Sequence, residues 1–266
     1  MRKIGFIGSG KMAGAIMGAL LQNGCDPALL TVSDPNPEAL LRPASFGAVT
    51  TNDNRVVFER SDIVFLAVKP QCMHDALGAI GSAAAGKTVV TMMAGIRTEQ
   101  IAALCPGAAC VIRMMPNTPM LVNKGTIAVS VGDAPADCAE AVVAILSTAG
   151  CVYHVEEDAM DAVTALSGSG PAYFYRIAAV MAEAAAAHGI DPETAVQMAA
   201  GTMAGAAEML TQSGKTPAEL IRDVSSAKGT TVAALEAFDR AELDAAVRAG
   251  VDTVTFSLSR ILSRQV

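Results

Sequence analysis

The first twenty residues restrict the possible folds more than any other stretch of the chain. Lys3 to Leu20 reads as a buried strand, a glycine turn and a helix. Within it, Gly8-Ser9-Gly10-Lys11-Met12-Ala13 fits the pattern G-x-G-x-x-G/A. Gly8 permits a tight turn, Gly10 leaves no Cβ between the main chain and a pyrophosphate, and Ala13 keeps the helix close to the sheet. The helix would aim its unpaired N–H groups and positive dipole end at that phosphate. Apolar Ile4, Phe6 and Ile7 precede the turn, and apolar residues at 12, 16, 17, 20 and 21 follow it. That is the strand–turn–helix context the pattern needs.

Alternating elements continue behind this unit. Apolar runs and turn signals predict strands at 2–8, 29–33, 63–67, 88–92, 109–113, 126–131 and 151–155, with helices at 12–23, 70–80, 98–104 and 136–148. Such repetition implies a mainly parallel sheet covered on both faces, with ligands at the carboxyl ends of its strands. The pattern changes near residue 156. Glu156-Glu157-Asp158 reads as a solvated turn, and the segments after it read as helices at 159–167, 171–187, 192–212, 217–223, 230–238 and 243–263. Pro171 and Pro192 suit first helical positions, and Asp191 suits an N-cap. The expected architecture is an α/β Rossmann domain over 1–157 followed by an all-α helical domain over 158–266. Small residues crowd the second half, at Ala184 to Ala187 and at Ala199, Ala200, Gly201 and Gly205. With 52% hydrophobic residues in the chain, the helical half needs a partner for its apolar surface, so an intertwined homodimer or larger homo-oligomer is expected.

Several function classes fall away. A net charge of −7 and the lack of a basic stripe argue against nucleic acid. No stretch has the roughly 18 uncharged apolar residues of a membrane span. Met1-Arg2-Lys3 runs straight into the first strand, leaving no room for a secretory leader in this reading. Six scattered cysteines without a C-x-x-C pair suit a reduced cytoplasmic setting. His74, His154 and His188 read as structural, and neither metal-ligand spacing nor a Ser/His/Asp order stands out.

The carboxyl ends of the strands carry the candidates for coenzyme binding. Asp34, 24 residues beyond Gly10, stands where an acid meets a ribose 2′-hydroxyl, which favours NADH over NADPH. Arg42 is too far along the chain to assume a role for it. Ala67, Val68, Lys69 and Pro70 end another strand, beside the expected nicotinamide ribose. Lys69 is either part of that site or a surface charge. Ala94-Gly95 leaves room for a ring, and Met115-Pro116-Asn117-Thr118-Pro119 forms a rigid two-proline turn. Further on, Ser225-Ser226-Ala227-Lys228-Gly229-Thr230-Thr231 opens an apolar helix, where consecutive N–H groups suit a carboxylate. An ordinary helix cap fits the same residues.

These segments together resemble the pyrroline-5-carboxylate reductase family over nearly the whole chain. The likeness runs from Ile4–Ala13 through Phe65–Gln71, Met115–Pro119 and Ala165–Tyr173 to Pro217-x-x-Leu220, Val224-Ser225-Ser226 and Gly229-Thr230-Thr231. The resemblance implies hydride transfer from NADH or NADPH to the C=N carbon of a cyclic imine acid, giving L-proline. It implies a substrate held between the Rossmann domain of one subunit and the helical domain of its partner. It further implies that the amides of Gly229 and Thr230 hold the substrate carboxylate, that the Thr231 hydroxyl faces the imine nitrogen, and that Val224 and Ser226 line the pocket. By the same likeness Asn54 contacts the adenine-ribose side of the coenzyme.

Three departures from the family pattern stand out. Ala227-Lys228 replaces Pro-Gly, loosening the turn and adding a cation that binds the acid, faces solvent or marks an altered substrate. Asp34-Pro35 replaces Asn-Arg. Lys11 replaces Asn or Gln, and either pairs with a coenzyme phosphate or is solvated. Two other readings remain open: another imine reductase or 3-hydroxyacid dehydrogenase of the same plan, with Lys228 as its acid, and a coenzyme-binding sensor without turnover.

Overall fold

Eight strands form one sheet in the order β3-β2-β1-β4-β5-β6-β7-β8. They are β1 (Ile4–Ile7), β2 (Leu30–Ser33), β3 (Val49–Thr51), β4 (Ile63–Leu66), β5 (Thr88–Thr91), β6 (Cys110–Met115), β7 (Gly125–Ser130) and β8 (Gly150–His154). Among the described residues only the β6–β7 pairing is antiparallel. The structure is a computed structural model and describes residues 2–226 and 229–262. Ala227 and Lys228 therefore lie outside the described residues.

Side-chain alternation along the strands builds two cores, one on each face of the sheet. In β4, Ile63 and Phe65 join the core with Phe6, Ile16, Leu30 and Val32, whereas Val64 and Leu66 join Ile7, Val57, Phe58 and Val89. Phe6 and Phe65 pair across neighbouring strands, their rings stacked at 5.2 Å between centroids. Helices α1 (Lys11–Gln22), α2 (Pro37–Ser45), α3 (Asn54–Arg60), α4 (Met73–Leu77), α5 (Thr98–Leu104) and α6 (Ala136–Ser147) accompany this sheet. α1 and α6 pack on the first core, α3, α4 and α5 on the second. Cys105 is fully buried there, and burial pushes its thiol up to about 11, so it stays protonated and acts as a small apolar filler.

Three short elements, α2, β3 and α3, fill residues 34 to 62, where the sequence reading assigns nothing. Their starts are capped by side chains: Asn36 Oδ1 accepts the Glu38 N–H, and Asp53 Oδ1 accepts the Arg55 N–H. The single helix expected at 70–80 is instead a 3-10 turn over Pro70–Cys72 followed by the five residues of α4. Gly78 and the left-handed Gly81 end that run early.

The acidic break also differs from its reading as a solvated turn. The Glu157 side chain is only 18% exposed. Its two oxygens accept the N–H and the hydroxyl of Thr98, each at 2.7 Å, and so cap α5. Arg113 of β6, 3% exposed, lies 3.6 Å from Glu157 and 3.2 Å from Asp161. Arg97 pairs with Asp158 at 2.9 Å. Two cations and three carboxylates thus tie the end of the sheet to the chain that leaves it.

That chain continues as α7 (Met160–Val163) and a π-helical stretch over Thr164–Gly168. One compact unit runs up to Ser169 and takes in the chain again from Val254; a second runs from Gly170 to Thr253. The second unit is helical: α8 (Gly170–Ala187), α9 (Pro192–Gln212), α10 (Pro217–Asp223), α11 (Thr230–Arg240) and most of α12 (Leu243–Leu262). Asp191 caps α9 ahead of Pro192, and a reciprocal Thr216–Glu219 capping box starts α10. Only Gly170 and Ala182 of α8, and Ala195 and Ala199 of α9, are buried. Phe174, Tyr175, Val180, Met181, Val196 and Met198 are exposed. No helix among the described residues is long and apolar enough to cross a membrane.

Candidate active site

The strand order reverses at β1, which lies between β2 and β4, and the crevice beyond the carboxyl ends of these strands is where such sheets bind ligands. Gly8 stands in that crevice. Its N–H donates to Ser33 O at 2.8 Å, and the Ala67 N–H donates to Ile7 O at 2.8 Å, so the ends of three strands are laced together. Gly8 has φ of +95°, and a Cβ there would meet Ala67 O at 2.7 Å. Both facts demand glycine. Two residues on, a Cβ on Gly10 would meet nothing within 4 Å, leaving open space over the turn. Gly10 caps α1 without a side-chain acceptor, and the first intrahelical bond of α1 is Gly14 N–H to Gly10 O. The amides of Lys11, Met12 and Ala13 precede that bond and point out of the helix start. A dinucleotide pyrophosphate fits this arrangement, because open space, a positive dipole end and free donors coincide.

Asp34 follows β2 and grips the same turn. Its Oδ2 accepts the Ser9 N–H at 2.8 Å and its Oδ1 the Asn36 N–H at 2.9 Å. The Ser9 hydroxyl donates to Ala39 O at 2.8 Å. Asn54 is half-buried at the start of α3, where its Oδ1 accepts the Ser33 hydroxyl at 2.6 Å and its Nδ2 donates to Ala76 O at 2.9 Å. Ala67, Val68 and Pro70 are half-buried just past β4, and Lys69 is exposed. Ala94 and the left-handed Gly95 follow β5. The candidates at 8–12, 34, 67–70 and 94–95 therefore gather along one edge, each after its own parallel strand.

Asn117, after β6, is buried and braces the next turn. Its Oδ1 accepts the Thr126 N–H and its Nδ2 donates to Ser167 O. Ser167 belongs to the π-helical stretch, a geometry often found beside functional sites.

In the helical unit, Gly229 is the N-cap of α11, again without a side-chain acceptor. Its own N–H is spent on Ser226 O at 2.8 Å, so the free donors begin at Thr230 and Thr231. A Cβ on Gly229 would collide with Ser226 Oγ and stand 2.9 Å from Ser226 O, which fixes glycine in this turn. Thr231 is half-buried, and its hydroxyl has no hydrogen-bond partner among the described residues. Thr230, Ser226 and Val224 are exposed nearby in sequence. Ser225 Oγ is shielded from solvent without a partner among the described residues. The three histidines are exposed, and the described residues hold no cluster of His, Cys, Asp and Glu suited to a metal.

Sequence reasoning passed over Arg42. A cavity of about 330 Å³ lies between α1 and α2, and Ser9, Lys11, Gly14 and Arg42 are among the residues that line it. Arg42 comes from the last turn of α2, and nothing in its local sequence announces that placement.

Comparison with known proteins gives a consistent result. Residues 157–258 match the family model for pyrroline-5-carboxylate reductase dimerisation, and residues 3–95 match that for NADP oxidoreductase, coenzyme F420-dependent. Pyrroline-5-carboxylate reductase 2 of Bacillus subtilis is 37% identical over 93% of this chain and 90% of its own length. The pyrroline-5-carboxylate reductase of Corynebacterium melassecola is 37% identical over 88% of this chain and 89% of its own. A solved pyrroline-5-carboxylate reductase from Coxiella burnetii superposes with a TM-score of 0.89 at 30% identity, covering 97% of this chain and 98% of that one.

Proposed function

This chain belongs to the pyrroline-5-carboxylate reductase family, and on that premise we propose that it reduces 1-pyrroline-5-carboxylate to L-proline, the last step of proline biosynthesis. It is an NAD(P)H-dependent oxidoreductase acting on a C=N bond. The reduced nicotinamide, when bound, supplies the hydride that the imine carbon accepts. The residues of the chain bind, orient and polarise. The turn Gly8-Ser9-Gly10-Lys11-Met12 takes the pyrophosphate, Asp34 and Asn54 the adenosine side, and Ala67 to Pro70 with Ala94-Gly95 the nicotinamide side. Thr230 and Thr231 offer main-chain N–H groups to the substrate carboxylate, and Gly229 shapes the turn that exposes them. Val224 and Ser226 line the pocket. The Thr231 hydroxyl donates a hydrogen bond to the imine nitrogen, drawing electrons from the carbon that receives hydride.

The observation that carries this reading is the uncapped start of α11, with free donors and an unengaged hydroxyl side by side. The test is the initial rate of NADH or NADPH oxidation with the cyclic imine acid, set beside the same assay in reverse with 3-hydroxy acids. Turnover of the imine acid alone is expected. Turnover of hydroxy acids alone, or coenzyme binding without any oxidation, would overturn the assignment. A carboxylate at Asp34 suits a ribose 2′-hydroxyl and supports NADH as one coenzyme.

The protein acts as a homodimer or larger assembly through the helical unit. The exposed apolar side chains of α8 and α9 support this, because apolar surface clustered on a helix pair marks an interaction face. Light scattering at micromolar concentration should give at least twice the mass of one chain, and a monomer would refute it. Six free thiols support a cytoplasmic setting.

A further inference from the structure

We propose that Arg42 and Lys11 form a subsite for the 2′-phosphate of NADPH, which makes Arg42 the residue that sets the choice between the two dinucleotides. The inference rests on the dinucleotide reading of the glycine turn. Asp34-Pro35-Asn36 directly follows β2, so no cation stands there. The cavity between α1 and α2 offers a replacement from another direction. Its wall runs from Ser9 and Gly10 at the turn down to Gly14 on α1, and α2 contributes Ala39 and Arg42 opposite. Arg42 Nη1 comes within 3.7 Å of the place a Cβ would take on Gly14, an ordinary contact distance, so the guanidinium lies against α1. Gly14 is four residues from Gly10, about 6 Å along the axis and little more than one helical turn. The cation is therefore a single turn from the loop assigned to the pyrophosphate.

Three further facts suit a phosphate. Lys11 lines the same cavity, and neither Lys11 nor Arg42 has a salt-bridge partner among the described residues. Two unpaired cations around one cavity favour a dianion, and a guanidinium matches phosphate oxygens in pairs. The cavity also adjoins the ribose end of the site, since Ser9 in its wall is bonded to Asp34 on one side and to Ala39 O on the other. Finally, both oxygens of Asp34 already accept main-chain N–H groups. Those donors offset its charge, so the carboxylate can serve a ribose hydroxyl without excluding a nearby phosphate. The competing account is that Arg42 only offsets the dipole in the last turn of α2. That role would alter stability and leave coenzyme choice untouched.

The experiment is calorimetric titration of the full chain and its Arg42→Ala and Arg42→Lys variants with NADPH, NADH, 2′,5′-ADP and 5′-AMP. Wild type should bind 2′,5′-ADP more tightly than 5′-AMP. Arg42→Ala should lower the ratio of NADPH to NADH affinity by about tenfold or more. Arg42→Lys, which keeps the charge, should retain most of the ratio. A ratio unchanged in Arg42→Ala, or a wild type indifferent to the 2′-phosphate, would overturn the subsite while leaving the reductase reading intact. Failure of wild type to bind either dinucleotide would remove both.

Discussion

Arg113→Ala is expected to destabilise the sheet-bearing unit by about 3–5 kcal/mol, the cost typical of stripping one partner from a buried ion pair. The guanidinium is 3% exposed and faces Glu157 at 3.6 Å and Asp161 at 3.2 Å. Removing it leaves two largely shielded carboxylates near each other with no cation between them. It also loosens Glu157, which caps α5 through Thr98. For a unit of this size the melting temperature should fall by about 10 °C, readable by circular dichroism. The cause can be separated from simple loss of packing. Arg113→Met combined with Glu157→Gln and Asp161→Asn keeps the volume and removes every charge, and should recover much of the loss. An Arg113→Ala protein that melts within a degree or two of wild type would show the cluster to be inert.

Thr231→Ala is expected to cut kcat by about a hundredfold with the fold intact, in line with the ~3 kcal/mol commonly lost with one fixed donor aimed at developing charge. The hydroxyl makes no bond to the described residues, so its removal breaks no hydrogen bond among them. Alanine is also a good helix former in the first turn of α11, which keeps the melt unchanged. Thr231→Ser keeps the donor and should restore most of the rate. The proposed donors to the substrate carboxylate are main-chain N–H groups that survive the substitution, so KM should move far less than kcat. A variant with full turnover would take Thr231 out of the chemistry.

The glycine turn and the parallel strands were legible because their signals are local. Gly8, Gly10 and Ala13 lie within six residues, and the central strands β1 and β4 are unbroken apolar runs. The uncapped helix start at Gly229-Thr230-Thr231 was equally open to reading. The stretch from 34 to 62 was not, since its elements are short and α2 holds Pro43. Its caps, Asn36 and Asp53, precede too few apolar positions to fix a period. Arg113 and Glu157 could not be matched from sequence. They lie 44 residues apart, and a carboxylate pair reads alike whether water or a buried arginine receives it. Arg42 was hidden for the same reason. Its neighbours on α1 come from a different element, and Gly14, which it lies against, looks like a routine helical glycine.

Ser9 is fastened twice, by its amide to Asp34 and by its hydroxyl to α2. The glycine turn proposed to receive the coenzyme is thus held in place by its own contacts before a ligand docks. Little configurational entropy remains to be lost when the dinucleotide docks, so the free energy of its contacts goes into residence time instead of into ordering the receptor. Cutting either tether should shorten that residence through faster release, even where the resting structure looks the same.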